Sequence, residues 1–73
     1  METERLSLVL SLASDVIRRP VEATDNFFDL GGDSITAVEF STRVEETLGT
    51  EVDIVLLFEA DTFSEYSRLL GDL

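Results

Sequence analysis

The sequence predicts a small all-α protein, and three observations carry that prediction. Apolar residues recur at helical spacing in three segments, and capping residues, Gly and Pro punctuate the ends of those segments. The single stretch with strand-like alternation, Val52, Ile54 and Leu56, has nothing elsewhere in the chain to pair with. In 73 residues there is room for one domain only, spanning 1–73, and a chain this short buries only about 60% of its unfolded surface. Every element must therefore contribute to one core.

The first helix is expected from Thr3 to Arg18, where Leu6, Val9, Leu10, Ala13, Val16 and Ile17 form one apolar stripe. Thr3 is the expected N-cap, Arg18 and Arg19 suit the negative end of the helix dipole, and Pro20 ends the element. Leu8 and Leu12 lie off the stripe and widen the core face under a crossing loop. From Pro20 to Asp33 periodicity is lost, and Pro20, Asp25, Asn26, Asp29, Gly31 and Gly32 supply turn chemistry for a long loop pegged by Phe27, Phe28 and Leu30.

A second helix fits Ser34 to Leu48, with Asp33 as N-cap and Gly49 as its stop. At about 100° per residue, Ala37, Phe40, Val44 and Leu48 share a core stripe. Ile35, Val38, Glu39, Thr42, Glu45 and Glu46 fall on the opposite side or its flank. Two exposed β-branched residues ringed by carboxylates suit a partner surface with an apolar centre and a charged rim. Glu39 and Arg43 are spaced to pair along the helix. A short third helix, introduced by Asp53 and ending at Glu59, is preferred to a lone strand. The last helix opens on a Thr62–Glu65 capping box and turns Phe63, Tyr66, Leu69 and Leu70 inward.

Composition excludes most catalysis. The chain has no cysteine and no histidine, and its five basic residues are all arginines. Thiolate metal sites, disulfides and Ser-His, Cys-His or Ser-Lys nucleophile pairs are therefore impossible, and no metal site is expected. Carboxylate-pair chemistry needs an enclosed pocket that so small a domain hardly offers. A net charge of -11 disfavours nucleic acid and anionic membranes and favours basic protein surfaces. The acidic start "METE" is unlike a signal peptide, and no stretch is long enough to span a bilayer, which leads to an expected cytoplasmic location.

The remaining chemistry lies in "DNFFDLGGDSITAVEF", residues 25–40. Read as a calcium loop from Asp29 it has Gly31, Ser34 and Phe40 at the wrong positions; a P-loop would need a lysine; a nucleophile elbow would need a glycine after Ser34. An ordinary Asp33 helix cap accounts for "DS" alone. Gly31 and Gly32, however, remove side-chain bulk before Ser34, and a helix N-terminus tolerates a phosphate ester on that serine. The pattern suits a serine that is modified by another enzyme.

This segment resembles the modification motif of phosphopantetheine-dependent carrier proteins. "LGGDSI" is most similar to the peptidyl carrier, or thiolation, branch of nonribosomal peptide synthesis, rather than the "GADSL" form of many fatty-acid carriers. The "LG" at the end of the second helix and "LLFEADTFSEYSRLL" extend the resemblance over almost the whole chain. It implies a four-helix acyl-carrier-like bundle with a long first loop and short third helix. It further implies covalent 4'-phosphopantetheine, from coenzyme A, on Ser34, with Asp33 assisting at the transferase interface and magnesium belonging to the transferase reaction. The implied function is to hold an aminoacyl, peptidyl or acyl group as a thioester.

The implied partners are a phosphopantetheinyl transferase, an adenylation or acyltransferase loading enzyme, and a condensation or ketosynthase-type acceptor. The chain itself is expected to be a non-catalytic monomer. "AVEFSTRVEETLG" is similar to the acidic second helix of free-standing acyl carriers, and Ala60-Asp61 stands where peptidyl carriers often have a proline turn, so the cargo stays open between aminoacyl and acyl. Met1 and the lack of flanking linkers suggest a discrete protein. An acidic helical adaptor, with Ser34 as a cap or phosphorylation site, would explain the charge but not the glycines or the full-length resemblance.

Overall fold

The computed structural model describes residues 2–71, with nothing beyond the backbone described for Glu2; Met1, Asp72 and Leu73 lie outside the described residues. It contains four helices, α1 (Glu2–Ile17), α2 (Ser34–Leu48), α3 (Val55–Glu59) and α4 (Phe63–Gly71). Helix α1 packs against both α2 and α4, and the short α3 lies against α4. The expected all-α bundle is the one observed.

Helix α1 begins one residue before the predicted start, so Thr3 is already helical and does not serve as the N-cap. Its other end differs too. Helical geometry stops at Ile17, and Arg18 turns left-handed at φ 65°, its N–H donating to Ser14 O at 2.7 Å. Pro20 biases Arg19 away from helical geometry, so the chain must leave the helix here without a glycine to do it. Both arginines consequently sit beyond the last turn and are exposed.

The core joins all four helices and the long loop. Val9, Ala13 and Val16 from α1 meet Ala37, Phe40 and Val44 from α2, Leu57 from α3, and Phe63, Tyr66 and Leu70 from α4. Leu12, Leu48 and Leu69 are only partly buried against this cluster, and Leu8 is half-buried. Phe27 enters from the loop, stacking on Phe40 at 5.3 Å between ring centres and meeting Phe63 edge-on at 6.5 Å. Aromatic rings bring large buried area with few rotatable bonds, which suits a core with no covalent staple.

The loop is far from structureless. Glu22 and Asp25 close one turn, through Asp25 N–H to Glu22 O and Glu22 N–H to Asp25 Oδ2. A second winding runs from Asn26 to Gly32, with Gly31 N–H on Phe28 O and Gly32 N–H on Phe27 O, both at 3.2 Å. The loop also caps α4: Phe63 N–H donates to Asp25 O and Ser64 N–H to Ala23 O, both at 3.0 Å. The first free donors of α4 are thus satisfied by main-chain carbonyls from the loop. Thr62 Oγ accepts the next one, from Glu65 N–H, which is the forward half of the expected capping box.

One polar feature of the core has an energetic consequence. The Tyr66 hydroxyl and the hydroxyls of Ser41 and Ser67 are buried without a hydrogen-bond partner among the described residues. Burial pushes the Tyr66 phenol from its ordinary 10 up to about 12; Ser41 lies close enough to moderate the shift without making a well-formed bond. The folded chain therefore keeps a proton that the unfolded chain releases above pH 10, so stability is retained below pH 10 and lost as pH rises toward 12. Tyr66→Phe is expected to abolish that alkaline loss and to stabilise the neutral protein by about 1 kcal/mol, since an unpartnered hydroxyl is removed without opening a void. Urea unfolding at neutral pH and at about pH 11 measures both effects.

Candidate functional site

Ser34 is the first residue of α2 and its side chain is exposed. Immediately before it, Asp33 has extended geometry and closes a reciprocal box with Thr36: Thr36 N–H donates to Asp33 Oδ1 at 2.9 Å, and Asp33 N–H donates to Thr36 Oγ1 at 2.8 Å. These bonds hold the Asp33 carboxyl below its usual value, the Thr36 backbone bond being the largest cause and the Thr36 hydroxyl the next. Asp33 thus stays ionised, and the helix start is held without any use of the Ser34 hydroxyl. A hydroxyl left free at a rigid, electropositive helix start is accessible for esterification by a phosphate. That chemistry fits a phosphopantetheine group joined through a phosphodiester.

The two glycines have separate internal reasons. Gly31 adopts φ 100°, where a side chain strains the backbone, although a Cβ there would meet nothing. At Gly32 the obstacle is contact, because a Cβ would overlap the Phe27 ring and lie 2.8 Å from Phe27 O. The pair therefore shapes the approach to Ser34 from inside, through the Phe27 peg, as well as leaving space outside.

Along α2, Ile35 is 78% exposed and Val38 56% exposed, while Glu39, Thr42 and Glu46 are also exposed. The structure brings these predicted surface residues together on one side of the helix. Glu39 forms its expected ion pair with Arg43 at 3.2 Å, in the open, where such pairs contribute little stability. Glu45 behaves differently from the free rim charge expected for it. It is half-buried, and its Oε1 accepts from Val52 N–H at 2.9 Å, which ties down the segment after α2.

Ser34, Val38, Ser41 and Glu45 recur at i, i+4, i+7 and i+11, a continuous stripe on a helix. Its far half borders a cavity of about 320 Å³, lined by Val38, Ser41, Thr42, Glu45, Val52, Asp53 and Ile54. The other wall of that cavity is Val52, Asp53 and Ile54, the segment that leads into α3, whose start is held by Asp53 Oδ1 accepting from Val55 N–H at 2.9 Å. Val55 and Phe58 on α3 are 47% and 56% exposed. The sequence reading missed both, although an apolar "VLLFE" on a helix of five residues has more large side chains than one buried stripe can take. It also missed Thr36, whose spacing from Asp33 follows the capping-box pattern with threonine at the third position. Among the described residues no cluster of acidic side chains is arranged to hold a metal ion, and no helix is long and apolar enough to cross a membrane.

Comparison with known proteins agrees with this geometry. The family model described as "Phosphopantetheine attachment site" matches residues 7–70. The chain is 43% identical over 65 residues to a linear gramicidin synthase polypeptide of Brevibacillus parabrevis, covering 88% of this chain and 1% of that protein. It is likewise 43% identical over 69 residues to a dimodular nonribosomal peptide synthase of Bacillus subtilis (strain 168), covering 93% of this chain and 3% of that one. The chain therefore spans only a few hundredths of the length of these relatives. Among solved structures it is similar to BlmI, a type-II acyl-carrier-protein from Streptomyces verticillus involved in bleomycin biosynthesis, with TM-score 0.93 and 25% identity, covering 97% of this chain and 87% of that one.

A short helical bundle that presents one modifiable serine at a helix start has the build of a carrier module. The chain belongs to the phosphopantetheine attachment-site family and is a carrier protein, with 4'-phosphopantetheine as its cofactor. Carrier families of this kind are generally non-catalytic.

Proposed function

We propose that residues 1–73 form a single carrier domain that is modified at Ser34 and delivers a tethered aminoacyl, peptidyl or acyl group between enzymes of nonribosomal peptide or hybrid polyketide assembly. The observation that carries this reading is the exposed Ser34 hydroxyl, free of any capping duty beside the closed Asp33–Thr36 box. Attached there, 4'-phosphopantetheine supplies a terminal thiol on which cargo is held as a thioester. Every other task falls to the chain's own side chains. Asp33 and Thr36 hold the helix start, Gly31 and Gly32 set the loop that leads to it, and Asp33 stands ionised where a transferase must approach.

Ile35 and Val38 supply the apolar centre of the surface that partners meet, and Val55 and Phe58 on α3 expose further apolar side chains. Glu39, Thr42 and Glu46 form its polar rim. The partners in this reading are a phosphopantetheinyl transferase, an adenylation or acyltransferase loading enzyme, and a condensation or ketosynthase-type acceptor, all working in the cytoplasm. Tethering raises the cargo's effective concentration at each of them, to the order of millimolar for a short flexible link. Incubation with coenzyme A and a broad-specificity transferase, followed by intact-mass measurement, tests the assignment; a mass that never increases overturns it.

Charge should govern encounter more than stability. Glu46→Lys, at an exposed position whose side chain makes no hydrogen bond among the described residues, is expected to slow modification about threefold at low salt, with the difference shrinking as salt is raised. Equal rates at low salt would remove the electrostatic role of the rim. Glu45 is the wrong residue for this test, because its reversal also releases Val52.

A further inference from the structure

The side chain of Asn26 joins two distant stretches of main chain. Its Oδ1 accepts from Phe28 N–H at 2.8 Å and from Asp29 N–H at 3.1 Å, which closes the turn that leads toward Gly31 and Ser34. Its Nδ2 donates to Asp61 O at 2.9 Å, 35 residues away, in the connection between α3 and α4. One carboxamide therefore grips the loop before the modification site with one end and the exit from α3 with the other. An asparagine suits this position because it carries an acceptor and a donor on one short, planar group, which aspartate, serine or alanine do not.

Between those two grips lies an unusual contact. The Phe28 ring stacks on the Phe58 ring at 5.1 Å with an interplanar angle of 13°, yet Phe58 is 56% exposed. Phe28 belongs to the stretch held by Asn26 Oδ1, and Phe58 lies three residues before Asp61. An exposed ring on a five-residue helix has little packing of its own to choose its position, and such a helix has little intrinsic stability. Here the ring is stacked on Phe28, and Asn26 adds a side-chain tie between the two stretches beside the main-chain bonds from Phe63 to Asp25 and from Ser64 to Ala23.

Resting on the carrier reading, we infer that Asn26 is a positioning residue for partner recognition. It fixes Phe58 of α3 relative to Ser34 and Ile35 of α2, so that the transferase reaching Ser34 meets one preformed apolar surface. Phe28 belongs to the loop that runs into Ser34, so the Phe58 ring is tied through it to the approach to the modification site, and Ile54, just before α3, lines one cavity with Val38 of α2. The transferase is the occupant because it must contact the start of α2 to reach the Ser34 hydroxyl, and Ile35 is the next residue. Without the Asn26 tie Leu57 and Ala60 stay in the core, but the Phe58 ring is held less closely against the loop, and the partner has to select its competent position; apparent affinity then falls while the chemical step at Ser34 is untouched.

Two variants separate the grips. Asn26→Ala removes both, whereas Asn26→Asp keeps the acceptor for Phe28 and Asp29 N–H and loses only the donor to Asp61 O. With coenzyme A and a broad-specificity transferase, both are expected to raise KM for the carrier about fivefold, with kcat within about twofold of wild type, the effect of the one bond to Asp61 O that both variants lose. In a Phe58→Ala background the same substitutions should change KM no further, because the ring they position is absent. Ring-to-ring proton contacts between Phe28 and Phe58, read by NMR on the unmodified chain, should weaken in both variants. An unchanged KM, or an undiminished effect in the Phe58→Ala background, overturns the inference while leaving the carrier reading intact. Wild-type chain that gains no mass overturns the carrier reading, and the inference with it.

Discussion

Ser34→Ala is expected to eliminate all mass gain on incubation with coenzyme A and a transferase, while leaving the unfolding free energy from urea titration within about 0.5 kcal/mol of wild type. Loss of modification follows because the hydroxyl oxygen is the proposed nucleophile and no cysteine is present to substitute for it. Preserved stability follows from the geometry. The Asp33 carboxylate and the Thr36 hydroxyl form the whole capping box, and the Ser34 side chain is exposed and not part of it. Alanine is also the better helix former at that position. A variant that lost modification and stability together would point to collapse of the site rather than removal of its oxygen; one that still gained mass would move the attachment elsewhere.

Gly32→Ala should have the largest effect on folding, destabilising the domain by about 3 kcal/mol or more. The added carbon meets the Phe27 ring and lies 2.8 Å from Phe27 O, and the latter is main chain that cannot rotate away. Phe27 is only 2% exposed and packed on Phe40 and Phe63, so its displacement is transmitted into the centre of the bundle. Gly31→Ala offers the control. It meets no atom and strains only a positive φ, so its cost should be smaller and local. Thermal or urea unfolding of the two variants distinguishes them, and an equal cost would show that the Phe27 contact does not account for the glycine at 32.

The helical part of the fold was legible because its signals are local. A stripe such as Ala37, Phe40 and Val44, with Asp33 before it and Gly49 after it, is written in spacing and end residues, and the helix forms over 34–48 accordingly. Arg18 shows where local signals are insufficient. A proline two residues on predicts that the helix must end, but which residue will take the left-handed conformation depends on which carbonyl it can reach, here Ser14 O.

The candidate site divides in the same way. Ser34, Asp33 and the exposed pair Ile35 and Val38 could be placed from the sequence, because their positions follow from helix geometry and a short motif. Glu45 could not be told from Glu46: both are acids on an amphipathic helix, and only the course of the chain after Gly49 brings Val52 N–H to one of them. The glycines were recognised for access to Ser34, whereas the Phe27 ring beneath Gly32 is a contact that appears only once the loop is folded.

By itself the sequence determined the class of fold, the absence of thiol or imidazole chemistry, and the place of Ser34 at a helix start, since these depend on residue types and on spacings within a turn or two. Tertiary structure alone decided the bond from Asn26 to Asp61 and the stacking of Phe28 on Phe58, because each joins groups tens of residues apart. The physical reason is that helix formation is governed by neighbours at i+3 and i+4, while a loop's hydrogen bonds go to whatever main chain the packed helices bring beside it.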